Sequence, residues 1–221
     1  MKHRTLVIAA AILLAGLAAH AEIKTTIDHN ANEQAKPDFK FKNVPSPSTS
    51  DAATQAKFTV VDGEKDSAGG DVGKLNDGKL PSEEDQPEEN FFFDAGTEGG
   101  RLQVDLGSVI AIKQVNTYSW HPTTRGPQVY KLYASDGTAE GLNAKPKKGT
   151  DPEKCGWKLI TKVNTKPKGG ADGGGQYGVS IADSEGALGK YRYLLFDIAS
   201  TEDDDSFGNT FYSEIDVIEQ K

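Results

Sequence analysis

The sequence predicts an all-β protein, an antiparallel β-sandwich of about eight strands in a jelly-roll arrangement. Three observations carry that prediction. From Lys57 to Glu219, short runs rich in Val, Ile, Tyr and Phe alternate apolar with polar residues, as strands buried on one face do. Clusters of Gly, Pro, Asn and Asp separate the runs and mark turns. No segment sustains a helical period with a cap at each end, which leaves a sandwich, and a jelly roll protects its sheet edges.

Taken in order, the chain opens with a segment of a different kind. Lys2, His3 and Arg4 precede an apolar run from Leu6 to Leu17, and Ala19-His20-Ala21 follows. A basic start, a short apolar middle and an A-x-A exit describe a secretory signal peptide over residues 1–21. The run is too short to span a hydrocarbon core of ~30 Å. Cleavage before Glu22 and a secreted product, extracellular or periplasmic, are expected. Residues 22–56 are poor in large apolar side chains and rich in Lys, Asn, Ser and Pro, and they read as an extended tail or linker.

The domain is expected over residues 57–221. Its strands are read at "KFTVVDGE" (57–64), "RLQVDLG" (101–107), "VIAIKQVNTYSW" (109–120) and "QVYKLYAS" (128–135). They continue at "GWKLITKVNT" (156–165), "QYGVSIAD" (176–183), "KYRYLLFDIAS" (190–200) and "TFYSEIDVIE" (210–219). In the second of these Leu102, Val104 and Leu106 face one way while Arg101, Gln103 and Asp105 face the other.

Composition narrows the function. Removing residues 1–21 takes two basic side chains and no acidic one, leaving 23 basic against 33 acidic residues and a net charge of −10. Such a surface repels nucleic acid and anionic lipid, so neither nucleic-acid binding nor membrane insertion is expected. Cys155 is the only cysteine of the 221-residue chain, so no intrachain disulfide forms and stability rests on the core or on a bound metal.

The chain is not expected to be an enzyme. "GGGQYG" (173–178) matches G-x-G-x-x-G but leads into a strand rather than a helix, where that motif has no phosphate to hold. Cys155 lies in a Pro- and Lys-rich loop with no His and Asn at a nucleophile's spacing. After residue 21 the histidines are His29 and His121 alone, too few for a zinc centre built on imidazoles. Ser119 and His121 share a strand without an orienting acid. The run Glu202-Asp203-Asp204-Asp205 offers carboxylates for a secreted glycoside hydrolase, although a solvated acidic loop reads the same way.

Seven pieces in order carry a resemblance: "LNDGK" (75–79), Phe91-Phe92-Phe93, "GGRLQVDLGSVIAIKQV" (99–115), "RGPQVYKLYASDG" (125–137), "GWKLI" (156–160), "KYRYLLFDI" (190–198) and "YSEIDVIE" (212–219). Over residues 57 to 220 the chain resembles the coagulation factor 5/8 type C, or discoidin, domain family, which includes the family 32 carbohydrate-binding modules. The resemblance implies a galactose-binding-domain-like jelly roll, a structural calcium ion and a ligand site in the loops at one end.

By that resemblance the calcium ligands fall at Asp77 and Glu214. Ser213 would add a carbonyl, and Lys79 and Ser82 stand at the remaining positions. Calcium takes six to eight oxygens, many of them carbonyls exposed by tight turns. The departure from the family is "KLPSEEDQPEEN" (79–90), which separates the turn from the aromatics. The alternative is that Asp77 shapes an Asx turn while Glu214 pairs with a cation. The ligand site would comprise Trp120, His121, Arg125, Asn209, Phe211 and Tyr212. An aromatic face packs on the C–H face of a sugar, while imidazole, guanidinium and amide reach its hydroxyls. Trp120 reads equally as a plug of the core, and Arg125 as an internal partner. The expected ligand is a glycan or polysaccharide, the other possibility being an adhesion module for a cell-surface protein.

Overall fold

The structure, a computed structural model, describes residues 22–169, 173–184, 186–201 and 209–221. The leader expected over 1–21 and the acidic run 202–205 lie outside the described residues. Among the described residues no helix is long and apolar enough to cross a membrane.

The fold is all-β and antiparallel, with eight strands among the described residues. They are β1 (Ile23–Ala31), β2 (Lys57–Asp62), β3 (Gly100–His121), β4 (Val129–Ser135), β5 (Lys158–Asn164), β6 (Gly175–Asp183), β7 (Gly189–Ile198) and β8 (Tyr212–Glu219). Among the described residues helical structure is confined to short 3-10 turns. The runs expected as separate strands at 101–107 and 109–120 are one strand, β3, which passes from one layer to the other. Its first part pairs with β2 and β7, and its last part with β6 and β8. Pairing with β7 is interrupted between Asp105 and Ile110, where the strand bends.

One layer therefore runs β2, β3, β7, β4, β5, and the other β1, β6, β3, β8. Leu102, Val104, Leu132, Leu194 and Phe196 from the first meet Val115, Val179, Ile181, Ile215 and Val217 from the second in one buried core. A smaller cluster of Tyr133, Trp157 and Leu195 lies apart from it, with Leu142 of the β4–β5 connection packed against it.

The expectation of a tail over 22–56 is corrected. Nine residues of β1 pair antiparallel with β6, from Ile23 opposite Asp183 to Ala31 opposite Gly175. The chain then crosses the outer face of the β1–β6–β3–β8 layer, held by polar groups. Asp28 accepts from the Asn43 and Val44 N–H groups at 2.5 and 3.0 Å, Tyr118 Oη donates to Pro45 O at 2.6 Å, and Asp216 accepts from Ser48 N–H at 3.1 Å. Val44 and Ala53 are the buried apolar residues of this stretch. Phe39 and Phe41, half-buried, pack beside Tyr118 and Trp120, but the other contacts are largely polar, which is why its composition reads as a linker.

Candidate functional site

The candidate site lies where β3 ends and the loop 122–128 turns the chain into β4. A polar network inside the sandwich fixes that loop. Ser119 Oγ donates to Gly126 O at 2.6 Å, and buried Gln128 donates to Ser119 Oγ at 3.0 Å and accepts from Thr117 Oγ1 at 2.5 Å. From the other side Thr210 Oγ1 donates to Pro127 O at 2.6 Å and Phe211 N–H to Arg125 O at 3.0 Å. Gly174 adds a close approach, since a Cβ there would collide with the Pro122 carbonyl. Each of these buried donors meets an acceptor, so the loop keeps one shape.

On that frame sit Arg125 and His121. The Arg125 guanidinium carbon lies 4.1 Å from the centre of the Phe211 ring and 4.7 Å from that of Phe92, and its Nε donates to Asn209 O at 3.2 Å. Phe92 and Phe211 stack on each other with centroids 4.1 Å apart. Both ring centres thus lie within cation–π range of the guanidinium.

The His121 ring is 7 % exposed and meets Phe211 edge to face. Its Nδ1 accepts from the Thr123 N–H at 3.1 Å. That bond assigns the proton of the neutral ring to Nε2. Burial first, and then the Arg125 guanidinium, hold the imidazole down to about 4, while Asp85 and Glu84 pull the other way. His121 is thus neutral at ordinary pH. Its Nε2 lies 4.0 Å from Oδ1 of Asp85, whose side chain is 63 % exposed. The separation is too long for a hydrogen bond, so donor and acceptor stand side by side, each able to bond a third group.

The sequence-derived set is only partly assembled here. His121, Arg125, Asn209 and Phe211 come together. Asn209 and Phe211 are 1 % exposed and serve as supports: the Asn209 amide donates to Asp94 O at 2.8 Å. Tyr212, 2 % exposed, belongs to the core and is removed from the site. Trp120 is neither rim nor core plug. It projects from the outer face of its layer and is roofed by Phe39, Leu80 and Pro81, leaving a crevice of ≈ 10 Å³. The expectation of an exposed aromatic platform is therefore corrected: the large exposed apolar side chains among the described residues are Ile27 and Val109. Sequence reasoning missed Asp85, Thr123 and Phe92. Nothing in "SEEDQPEE" marks Asp85 above its acidic neighbours.

The expected calcium residues divide in the same way. Glu214 is 1 % exposed. Its Oε2 accepts from the Gly78 N–H at 2.9 Å, while Oε1 is buried with no hydrogen-bond partner. Burial, reinforced by Asp216, Asp77 and Asp51, pushes its carboxyl up to about 9. Asp77 Oδ1 accepts from the Lys79 N–H at 3.0 Å, an Asx turn, and its Oδ2 lies 4.0 Å from Lys74 Nζ. Ser213 Oγ donates to Asn90 Oδ1 at 2.8 Å. The Lys79 side chain is exposed, and Ser82 is exposed and bonded to Gln86. Neither side chain is directed to Glu214, because the inserted residues form their own turn. An orphaned, buried carboxylate oxygen beside an Asp-Gly turn fits a hard cation. Among the described residues no three Asp, Glu, His or Cys side chains converge, so carbonyl oxygens would have to supply most of the shell.

No protein-family model matches the chain, and no curated protein matches it by sequence. Among solved structures it is similar to CpGH89CBM32-6 of Clostridium perfringens, at 16% identity and a TM-score of 0.42 over 77% of this chain and 100% of that one. It is similar to a Streptococcus pneumoniae fucose binding module, SpX-3, at 11% identity and a TM-score of 0.46 over 78% and 99%. It also matches SpGH29, at 14% identity and a TM-score of 0.45, covering 78% of this chain but only 28% of that one. Likenesses at this level assign no ligand to this chain.

Proposed function

We propose that this chain is a non-catalytic glycan-binding module whose ligand is held at the rim formed by His121, Asp85, Thr123 and Arg125. The observation that carries the reading is the unbonded pair of His121 Nε2–H and the Asp85 carboxylate, 4.0 Å apart. A sugar hydroxyl both accepts and donates. Placed beside the pair, it accepts a hydrogen bond from the imidazole Nε2–H and donates one to the Asp85 carboxylate. Thr123, exposed at the same turn, extends the polar rim. The aromatic rings beneath are buried, so recognition rests on hydroxyl geometry more than on stacking, and affinity for a single sugar is modest.

Non-catalytic character is supported by how the reactive groups are used. His121 Nδ1 is committed to Thr123, and Ser119 Oγ to Gly126. The carboxylates of Glu214 and Asp216 are 1 % and 0 % exposed, out of reach of a polysaccharide. As part of the same proposal, Glu214 Oε1 and Asp77 would hold a structural calcium, with Ser213 as a carbonyl donor. The ion would displace the proton that burial holds on the Glu214 carboxyl and satisfy the orphaned oxygen.

A glycan array probed with residues 22–221, followed by product analysis on the glycans bound, tests the reading. Retention of a defined set of neutral glycans without cleavage is expected. Cleavage of a bound glycan, or no retention at all, would overturn it.

A further inference from the structure

On the outer face of the other layer, register sets Lys131 of β4 directly opposite Lys162 of β5. Like charges in that position destabilise a sheet. On its other side Lys131 is opposite Asp197 of β7, but that carboxylate is already taken. Arg101, from β3, binds its two oxygens through Nε at 3.1 Å and Nη2 at 3.3 Å. Neither the Lys131 nor the Lys162 ammonium has an ion pair or hydrogen bond with a described residue.

A third ammonium is brought to the same place from the β4–β5 connection. Lys148 Nζ donates to Glu98 O at 2.5 Å and to Ile198 O at 2.9 Å. Two carbonyls use two of its three protons. Asp197, Glu98 and Asp62 also face it, yet none of the three carboxylates forms an ion pair with it. Between the three lysines lies a cleft of ≈ 310 Å³ lined by Val129, Ile198 and Ala199, with Asp197, held by Arg101, also in its wall.

We propose that this cleft binds the carboxylate or sulfate group of an acidic polysaccharide. Unpaired ammonium groups set in an otherwise acidic protein, around a partly apolar concavity, fit an anionic group carried on a sugar ring. The cleft sits at the start of β4, next to loop 122–128, where Ala199 N–H donates to Val129 O and Thr165 N–H to Gln128 O. The choice of a polysaccharide rests on the glycan reading above, and the anion site itself does not. At physiological salt charges beyond ~8 Å are largely screened, so the groups at the cleft itself, rather than the net charge of the chain, decide whether an anion binds there.

Affinity electrophoresis of the 22–221 chain in gels containing polygalacturonate, dextran sulfate or neutral dextran, at physiological ionic strength, tests the proposal. Retardation by one or both acidic polymers is expected, the two arms separating carboxylate from sulfate. Removing one ammonium partner of the anion should weaken binding by about tenfold or more. Lys131→Ala with Lys162→Ala should therefore abolish retardation while melting stays at or slightly above the parent's, both side chains being exposed. Lys131→Arg with Lys162→Arg should retain it. Equal retardation of parent and alanine variant, or no retardation of the parent by either acidic polymer, would overturn the site. Neutral-glycan binding that survives the lysine variant but not Asp85→Ala would show the rim and the cleft to be separate. A parent that binds no neutral glycan, with acidic retardation intact, would count against the rim only.

Discussion

At the scale of single residues, Lys113 decides more than any catalytic-looking side chain. Pairing of β3 with β8 slips between Ile112 and Gln114, so Lys113 is a bulge residue and the inward phase changes there. Leu102, Val104 and Ile112 belong to the core before it, and Val115 after it. The change turns Gln114, Asn116, Tyr118 and Trp120 outward and carries His121 to the inner edge of the rim. Alternation in the sequence shows the strand but not the bulge, which is why Trp120 could not be placed from sequence. His121 and Arg125 were legible as strand-end residues; Asp85 was not, since its role comes only from an inserted turn folding back.

His121 also yields the sharpest pH prediction. Its native pKa of about 4 lies below the ordinary 6.5, so the unfolded chain takes up a proton that the fold refuses. Its contribution to stability is complete above pH 6.5 and declines from there to about 4, by on the order of 3 kcal/mol. Melting curves of the parent and of His121→Gln between pH 8 and 4 separate this contribution from those of the carboxylates. The parent should lose ground to the variant across that window. Glycan binding should stay level from pH 8 to 5 and change only near 4. A binding midpoint close to 6.5 would mean an exposed ring and a wrong site.

Among elements, the N-terminal segment departs furthest from its sequence appearance. "IKTTIDHNA" alternates only weakly, and the residues after it bury few apolar groups, so nothing in their composition promises order. They are ordered because β1 completes the hydrogen bonds of β6 and because Asp28, Tyr118 and Asp216 present partners to the returning backbone. The pKa of Asp28 is lowered by its bonds to Asn43 and Val44, against the opposing pull of burial. Asp28→Ala removes the acceptor for both backbone N–H groups and should cost about 1–3 kcal/mol. Chemical denaturation measures it, and an unchanged midpoint would return residues 32–51 to the status of a tail. The remaining strands, rich in β-branched and aromatic residues, were legible because each buries one face. The expected number agrees at about eight only because β1 does not read as a strand while β3 reads as two.

For the whole molecule, stability must come from one core without a disulfide, in a chain that buries the carboxylates of Glu214 and Asp216. A cation bound to the native state alone would stabilise it by about 2.7 kcal/mol at a hundredfold excess over Kd. Calcium should raise the melting temperature of chelated protein, and Glu214→Gln should abolish that response while leaving a folded domain. A parent that melts alike in EDTA and in calcium would exclude the ion. The glycan-binding claim stands apart from the metal and rests on His121 and Asp85. Calorimetric titration of the best neutral glycan into parent and Asp85→Ala protein tests it most directly, because Asp85 is exposed and its removal spares the fold. Loss of one charge-assisted hydrogen bond predicts a roughly ten- to hundredfold weaker Kd with an unchanged melting temperature. Equal affinity in the two proteins would contradict glycan binding at this rim and place the ligand elsewhere on the sandwich.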